Sequence, residues 1–417
     1  HLLFMQGRVA RHLTSLASPL SDLLAVQDSG PTAPKGLVVN VRKNKLVSLA
    51  ALGLVGGLAL AGCGGADAGN GDSNGSDNGG ASAGGYAELS GNLAGSGASS
   101  MQNAQTAWTE SFMGLVQAEG GDIQVTYDPT GSGTGREQFL SGQVKFAGTD
   151  AALDEEELAA STEVCNDEQA FNLPVYISPI AVVFKLEGVE SLNLSAEVIG
   201  GIFAGDITNW NDPAIADLNP DAELPDLDIV PVHRSDDSGT TENFTEYLSE
   251  NAPDAWTHGP IETWPIEGGQ SGDGTSGMIS TVEGGNGTIG YADASQAGNL
   301  GTVNVQVGEE FVEFTGEAAA KAVDVSPREE GRAENDLVVQ LDRTTTESGV
   351  YPIVLISYLA LCGSYADSAE GEAVKAYASY IISEEGQAAG EENAGSAPIS
   401  DELRTEAQAA IDGITVG

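Results

Sequence analysis

Basic side chains are scarce in this chain: 16 Lys and Arg stand against 62 Asp and Glu in 417 residues, with 4 His. Sixty of the acidic and ten of the basic residues follow Cys63, a formal net charge of −50 over 355 residues. Such a field repels phosphodiester backbones and anionic headgroups, which makes nucleic acid and acidic lipid poor partners. Its plainest use is solubility in a salty or alkaline medium. Three Cys in all, and only His233 and His258 after Cys63, leave no cysteine or histidine cluster to form a metal site or activate a nucleophile. A full bilayer span is lacking as well, since the most apolar stretch, Leu46–Gly62, holds 17 uncharged residues where about 20 are needed.

What that stretch does have is context. Arg42, Lys43 and Lys45 precede it and Leu60-Ala61-Gly62-Cys63 ends it, giving a basic n-region, an apolar h-region and a small-residue cleavage site. L-A-G-C resembles the bacterial lipobox, which implies that Cys63 is acylated (palmitate or a similar chain) and becomes the first mature residue. Residues 1–40 carry no usable pattern and are expected to be a non-functional upstream extension, with the signal peptide at 41–62. Residues 63–86 are nearly all Gly, Ala, Ser, Asn and Asp, too polar to bury a core, and read as a flexible tether. Cys165 and Cys362 remain, and an even pair in an oxidising exterior is expected to form a disulfide, the alternative being two buried thiols.

From Leu89 onward, short apolar runs such as Ile123–Tyr127, Val175–Phe184, Ile229–Val232 and Val350–Leu361 alternate with helical patterns, which predicts an α/β fold. The length suits two lobes rather than one core. Three times a Gly/Ser/Thr loop leads into an amphipathic helical pattern: Gly95–Ser100, Gly131–Gly135 and Asp237–Thr241. Exposed amides, short hydroxyls and the positive end of the helix dipole make such termini anion sites. Ser99 and Gln102 also have the spacing of a capping box. Arg234, one of the few cations, sits just before the third loop with Asp236 two residues on, a pairing suited to gripping an oxyanion.

Other patterns carry less. Asp154–Glu157 is read as a solvated helix start and not as a metal cluster. Gly285–Gly290 matches G-x-G-x-x-G but opens no helix, and two G-x-S-x-G matches fall in the tether, where no strand-turn-helix elbow can form.

The run Leu194–Leu248, with NWNDPAIADLNP and HRSDDSGTT, closely resembles the phosphate-binding component of bacterial phosphate ABC importers. The likeness extends through ELSGNLAGSGASS, VTYDPTGSGTGREQF, FAGTD, NLPVYISPIAVVF, GTIGYAD and GVYPIVL. It implies a two-lobed type II periplasmic-binding-protein fold with the ligand between the lobes, lobe 1 at 87–174 and 296–417 and lobe 2 at 175–295. It also implies a phosphate site of Ser99, Ser100, Ser132, Asp150, Arg234, Ser238, Gly239 and Thr240, supported by Asp236. Asp150 is the specificity element: a buried carboxylate accepts a hydrogen bond from protonated phosphate, whereas sulfate has no proton to give. Ser99-Ser100-Met101 replaces the family's usual Thr-Phe-Pro and removes an aromatic wall. Asp237 replaces a usual Gly, adding charge near the site or capping the third helix.

The expectation is a lipid-anchored, extracytoplasmic receptor that delivers phosphate to an ABC permease, monomeric, without cofactor or metal, and not an enzyme. The alternatives are a binder of arsenate, sulfate or molybdate and, from another class, a secreted phosphatase.

Overall fold

The structure, a computed structural model, describes residues 85–417. Cys63, the signal segment and nearly all of the tether lie outside them. Along the chain the elements are β1 (Ser90–Gly97), α1 (Gln102–Glu119), β2 (Asp122–Asp128), α2 (Ser132–Leu140), β3 (Phe146–Thr149), α3 (Glu155–Ser161) and β4 (Ala170–Lys185). There follow β5 (Ser191–Leu194), α4 (Ala196–Ala204), α5 (Pro213–Ala216), β6 (Val230–Arg234), α6 (Gly239–Asn251), β7 (Gln270–Gly272), α7 (Gly274–Glu283) and β8 (Thr288–Asp293). The chain closes with β9 (Gly301–Val307), β10 (Glu310–Val312), α8 (Gly316–Asp324), β11 (Val354–Cys362), β12 (Ser364–Tyr365), α9 (Ser368–Ile382), α10 (Glu384–Ala394), α11 (Asp401–Asp412) and β13 (Thr415–Val416).

The β4 strand explains the two-lobed architecture. It runs for 16 residues with all but the last buried. Its first part pairs antiparallel with β11 and its second part, from Ile180, with β8 and β9. One curled sheet in the order β2-β1-β3-β11-β4-β8-β6-β7 therefore has two ends, each wrapped by its own helices, with β4 crossing between them. At the first end Trp108, Phe112, Phe146 and Tyr377 fill the core. At the second, Phe203, Phe244 and Tyr291 pack together, with Phe244 stacked on Tyr291 at 4.3 Å. Burying side chains of this size stabilises by roughly 2–3 kcal/mol each, and the buried apolar residues of the two ends join in one continuous core.

The return to the first lobe, expected at residue 296, comes later. β9 pairs parallel with β5 from Ser191↔Thr302 onward and carries β10 on its other side, which keeps both strands in the second half. By Leu337, whose N–H donates to the Asn172 carbonyl at 3.0 Å, the chain is back against the first half of β4. Short strands paired to a distant partner leave no mark of that partner in their sequence.

A disulfide joins Cys165, past the end of α3, to Cys362 at the end of β11. Asp154 caps α3 in a reciprocal capping box with Glu157, which agrees with the reading of the acidic run as a helix start. No helix among the described residues is long and apolar enough to cross a membrane.

Candidate functional site

The first amides of a helix have no acceptor within it, so a helix that begins in a buried cleft turns unpaired donors on whatever lies there. α2 begins at Ser132 and α6 at Gly239, inside the second and third loops. Ser238 caps α6, its hydroxyl accepting from the Thr241 N–H at 3.1 Å, which leaves the Gly239 and Thr240 amides free to point elsewhere. Gly239 must be glycine: a Cβ there would lie 2.6 Å from Ser132 Oγ and 2.7 Å from Asp150 Cβ. The start of α6 is pressed against two residues of the opposite lobe.

Asp150 follows β3 and is buried at 4% exposure. Ser100 Oγ donates to its two carboxylate oxygens at 2.7 and 2.9 Å, Thr240 Oγ1 to Oδ2 at 3.0 Å and Ser357 Oγ to Oδ1 at 2.7 Å. Its own N–H donates to Ser132 Oγ at 3.1 Å. Burial pushes the carboxyl pKa up, and the hydroxyl donors and the Arg234 charge pull against that rise. Arg234, at the end of β6, donates from Nε to Asp236 Oδ1 at 2.7 Å and from Nη2 to Asp236 Oδ2, a two-point grip. Asp236 in turn accepts from the Gly274 N–H at 3.0 Å, at the start of α7. Arg234 Nη2 also donates to Ser99 Oγ at 3.0 Å.

The eight ligand-binding positions expected from sequence are thus all buried and gathered where the two halves meet. The capping box between Ser99 and Gln102 does not form. The residue preceding α1 is Met101, without a side-chain cap, and Ser99 Oγ is occupied across the cleft by Arg234, by the Thr275 N–H and by Thr275 Oγ1, the last two at 3.0 Å. Asp237 does not cap the third helix either: Ser238 does, while the Asp237 carboxylate accepts from Thr263. Ser100, where an aromatic was expected to be missed, turns its hydroxyl to Asp150 instead.

Three participants escaped sequence reasoning. Thr275 follows Gly272-Asp-Gly274, a fourth Gly/Ser/Thr loop before a helix, and the signal used for the other three would have found it. Asn243 donates from Nδ2 to the Asp150 carbonyl at 2.8 Å and the Gly239 carbonyl at 2.9 Å, tying the lobes together behind the site. Ser357 was hidden in an apolar strand, where a single hydroxyl was its only mark.

A model described as a PBP superfamily domain matches residues 80–385. Phosphate-binding protein PstS 3 of Mycobacterium tuberculosis is 36% identical over 328 residues, 77% of this chain and 86% of that one. The chain belongs to this phosphate-binding protein family. PstS 2 of the same organism is 32% identical over 385 residues, covering 90% of this chain and 99% of the relative. Among solved structures, the periplasmic phosphate-binding protein PfluDING, bound with phosphate, aligns with a TM-score of 0.64 at 22% identity over 76% of this chain and 93% of its own. A phosphate ABC transporter substrate-binding protein from Clostridium perfringens aligns at 0.52 and 21%, over 73% and 98%. These likenesses establish the type II periplasmic-binding-protein fold.

Membership changes how the buried charges read. In this family fold the space between the halves is the ligand cleft, and here the cleft is shut, with Ser99, Ser132 and Asp150 of one half in contact with Arg234, Gly239, Thr240 and Thr275 of the other. Among the described residues no group of three or more His, Cys, Asp or Glu is placed to hold a metal ion.

Proposed function

We propose that the protein is a lipid-anchored, extracytoplasmic receptor that binds inorganic phosphate and delivers it to an ABC permease, without catalysing a reaction on it. The observation that carries the reading is the presence of a buried cation, Arg234, and a buried carboxyl, Asp150, in one cleft. A guanidinium held by Asp236 grips a tetrahedral oxyanion, and the amides at the starts of α2 and α6 supply further donors at hydrogen-bond range. A net negative surface is screened beyond about 8–10 Å, and donors acting at hydrogen-bond range outweigh it. Asp150 would repel an anion unless the anion brings a proton, and phosphate near neutral pH does. A site built around such a partner rejects an analogue without the matching group by a factor on the order of 10⁴–10⁵, because the acceptor is left unpaired.

Calorimetric titration of the full chain tests this. Phosphate binds and sulfate does not; Asp150→Asn, which turns an acceptor into a donor, narrows the difference by at least about a hundredfold. Equal binding of sulfate overturns the assignment, and turnover of a phosphomonoester overturns the receptor reading. Arsenate, which shares the protonation of phosphate, competes with it. Anchoring is tested separately: Cys63→Ala abolishes incorporation of a labelled acyl chain and releases the protein from the membrane fraction, and retention of either would remove the anchor.

A further inference from the structure

Asp150 is useful for discrimination only while it accepts. A protonated carboxyl is a donor, and a donor welcomes sulfate as readily as phosphate. Burial favours the protonated form, so something must keep the carboxylate supplied with hydrogen bonds after the ligand has arrived. Ser100 and Thr240 belong to loops that also face the ligand, and each hydroxyl has one proton to give. A phosphate oxygen seated against those loops competes with Asp150 for both.

Ser357 has no such divided duty. It is on β11, outside every anion loop and fully buried, as are its neighbours along the strand, Leu355, Ile356, Tyr358 and Leu359. Strand register puts it there: β11 pairs antiparallel with β3 through Tyr358↔Thr149, so the next step on each chain sets Ser357 opposite Asp150. The ladder between β11 and β4 shifts register beside Ser357, where Val175 is the extra residue on the β4 side, while β11 itself runs on without an insertion. The outcome is a 2.7 Å bond from Ser357 Oγ to Asp150 Oδ1.

We propose that Ser357 is a specificity-determining residue: its hydroxyl holds Asp150 as an acceptor toward a protonated oxyanion while the loop hydroxyls serve the ligand. This rests on the phosphate reading above. Among the charged and titratable groups around Asp150, Arg234 of β6 supports the ionised form. Asp293 of β8 opposes it, and Tyr127 of β2 lies close enough to feel its charge. Across an adjoining cavity of about 380 Å³ lie Glu242, Glu246 and Glu329 with Arg332 and Arg343. None of these donates a hydrogen bond to the Asp150 side chain, and among the described residues only the hydroxyls do.

The test compares phosphate and sulfate affinities of the full chain with those of Ser357→Ala, Ser357→Thr and Ser357→Val between pH 5 and 8. Sulfate carries no proton in that range, so any pH dependence of its binding reports on the protein. Losing one hydrogen bond to a charged group shrinks the phosphate-to-sulfate ratio about tenfold or more in the Ala and Val variants, and sulfate binding in them strengthens as pH falls. Thr, which keeps the hydroxyl, retains the wild-type ratio and its pH profile. Thr and Val are almost the same size, so their difference isolates the hydroxyl even if Ala destabilises the fold. A ratio unchanged in Ala and Val, or equal loss in Thr and Val, overturns the role of Ser357 while leaving phosphate binding intact. Failure of the unmodified chain to bind phosphate overturns both readings.

Discussion

Replacing Glu262 by Gln should let bound phosphate leave faster without slowing its arrival. Arg136 lies one turn into α2, and its guanidinium reaches across the cleft to Glu262 with two bonds of 2.8 Å, Nη1 to Oε1 and Nη2 to Oε2. Nε donates to Glu157 of its own lobe at 2.8 Å and Nη1 also to Thr149. Burial lowers the Arg136 pKa, but Glu262 and Glu157 together more than offset it and hold the group above its ordinary range. The side chains of Arg136 and Glu262 are 10% and 20% exposed, so the clasp is largely withdrawn from solvent. Its two ends lie on opposite sides of the cleft, so separating the halves must break it, which makes it a brake on opening. Gln keeps the shape and one acceptor, and Glu157 still neutralises Arg136, so the loss falls short of a broken buried pair, about 1–2 kcal/mol. That corresponds to release roughly 5–30-fold faster, read by stopped-flow displacement of phosphate, with the association rate constant changed by less than about twofold. A release rate within about twofold of the parent protein, or an effect confined to association, would refute the reasoning.

Other outcomes follow from the same contacts. Gly239→Ala pushes a methyl group into Ser132 and Asp150 and should abolish phosphate binding by calorimetry while the circular dichroism of the fold persists; an unchanged affinity would mean that the halves need not meet there. Burial raises the carboxyls of Glu242 to about 7 and Asp293 to about 6, and Asp150 upward as well. Groups raised on folding contribute stability that is complete below their unfolded pKa and lost as pH rises through the folded value, so the melting temperature should climb as pH falls from 8 toward 5. Glu242→Gln should flatten the upper part of that profile. Reduction of the Cys165–Cys362 bond, which spans 197 residues, should cost about 2–5 kcal/mol in urea unfolding at constant pH. An equal midpoint with and without reductant would show that the closed loop is held by packing alone.

Much of the site was readable because its members are local. Arg234 and Asp236 are two residues apart, and the Asp154 capping box spans three, so neighbouring letters carry the interaction. The loops before α2 and α6 were legible for a related reason: short hydroxyls and glycines at a strand-to-helix turn have few other uses. The same pattern before α7 went unread, although it brings Thr275 to Ser99.

By itself, then, the sequence determined the elements, the anion-type helix starts and the rare cation beside one of them. It also determined the family, through motifs long enough to exclude chance. Tertiary structure alone decided who shares a proton with whom. Ser99 gave up a cap three residues away for partners more than 130 residues distant. Arg136 found Glu262 across the cleft, 126 residues on, and Ser357 met Asp150 across 207. Such bonds depend on strand register and on how two halves meet, and neither is written in the spacing of residues along one strand. Asp150 was visible as a letter in the chain, while the Ser357 hydroxyl that donates to it became visible only when β11 was laid beside β3.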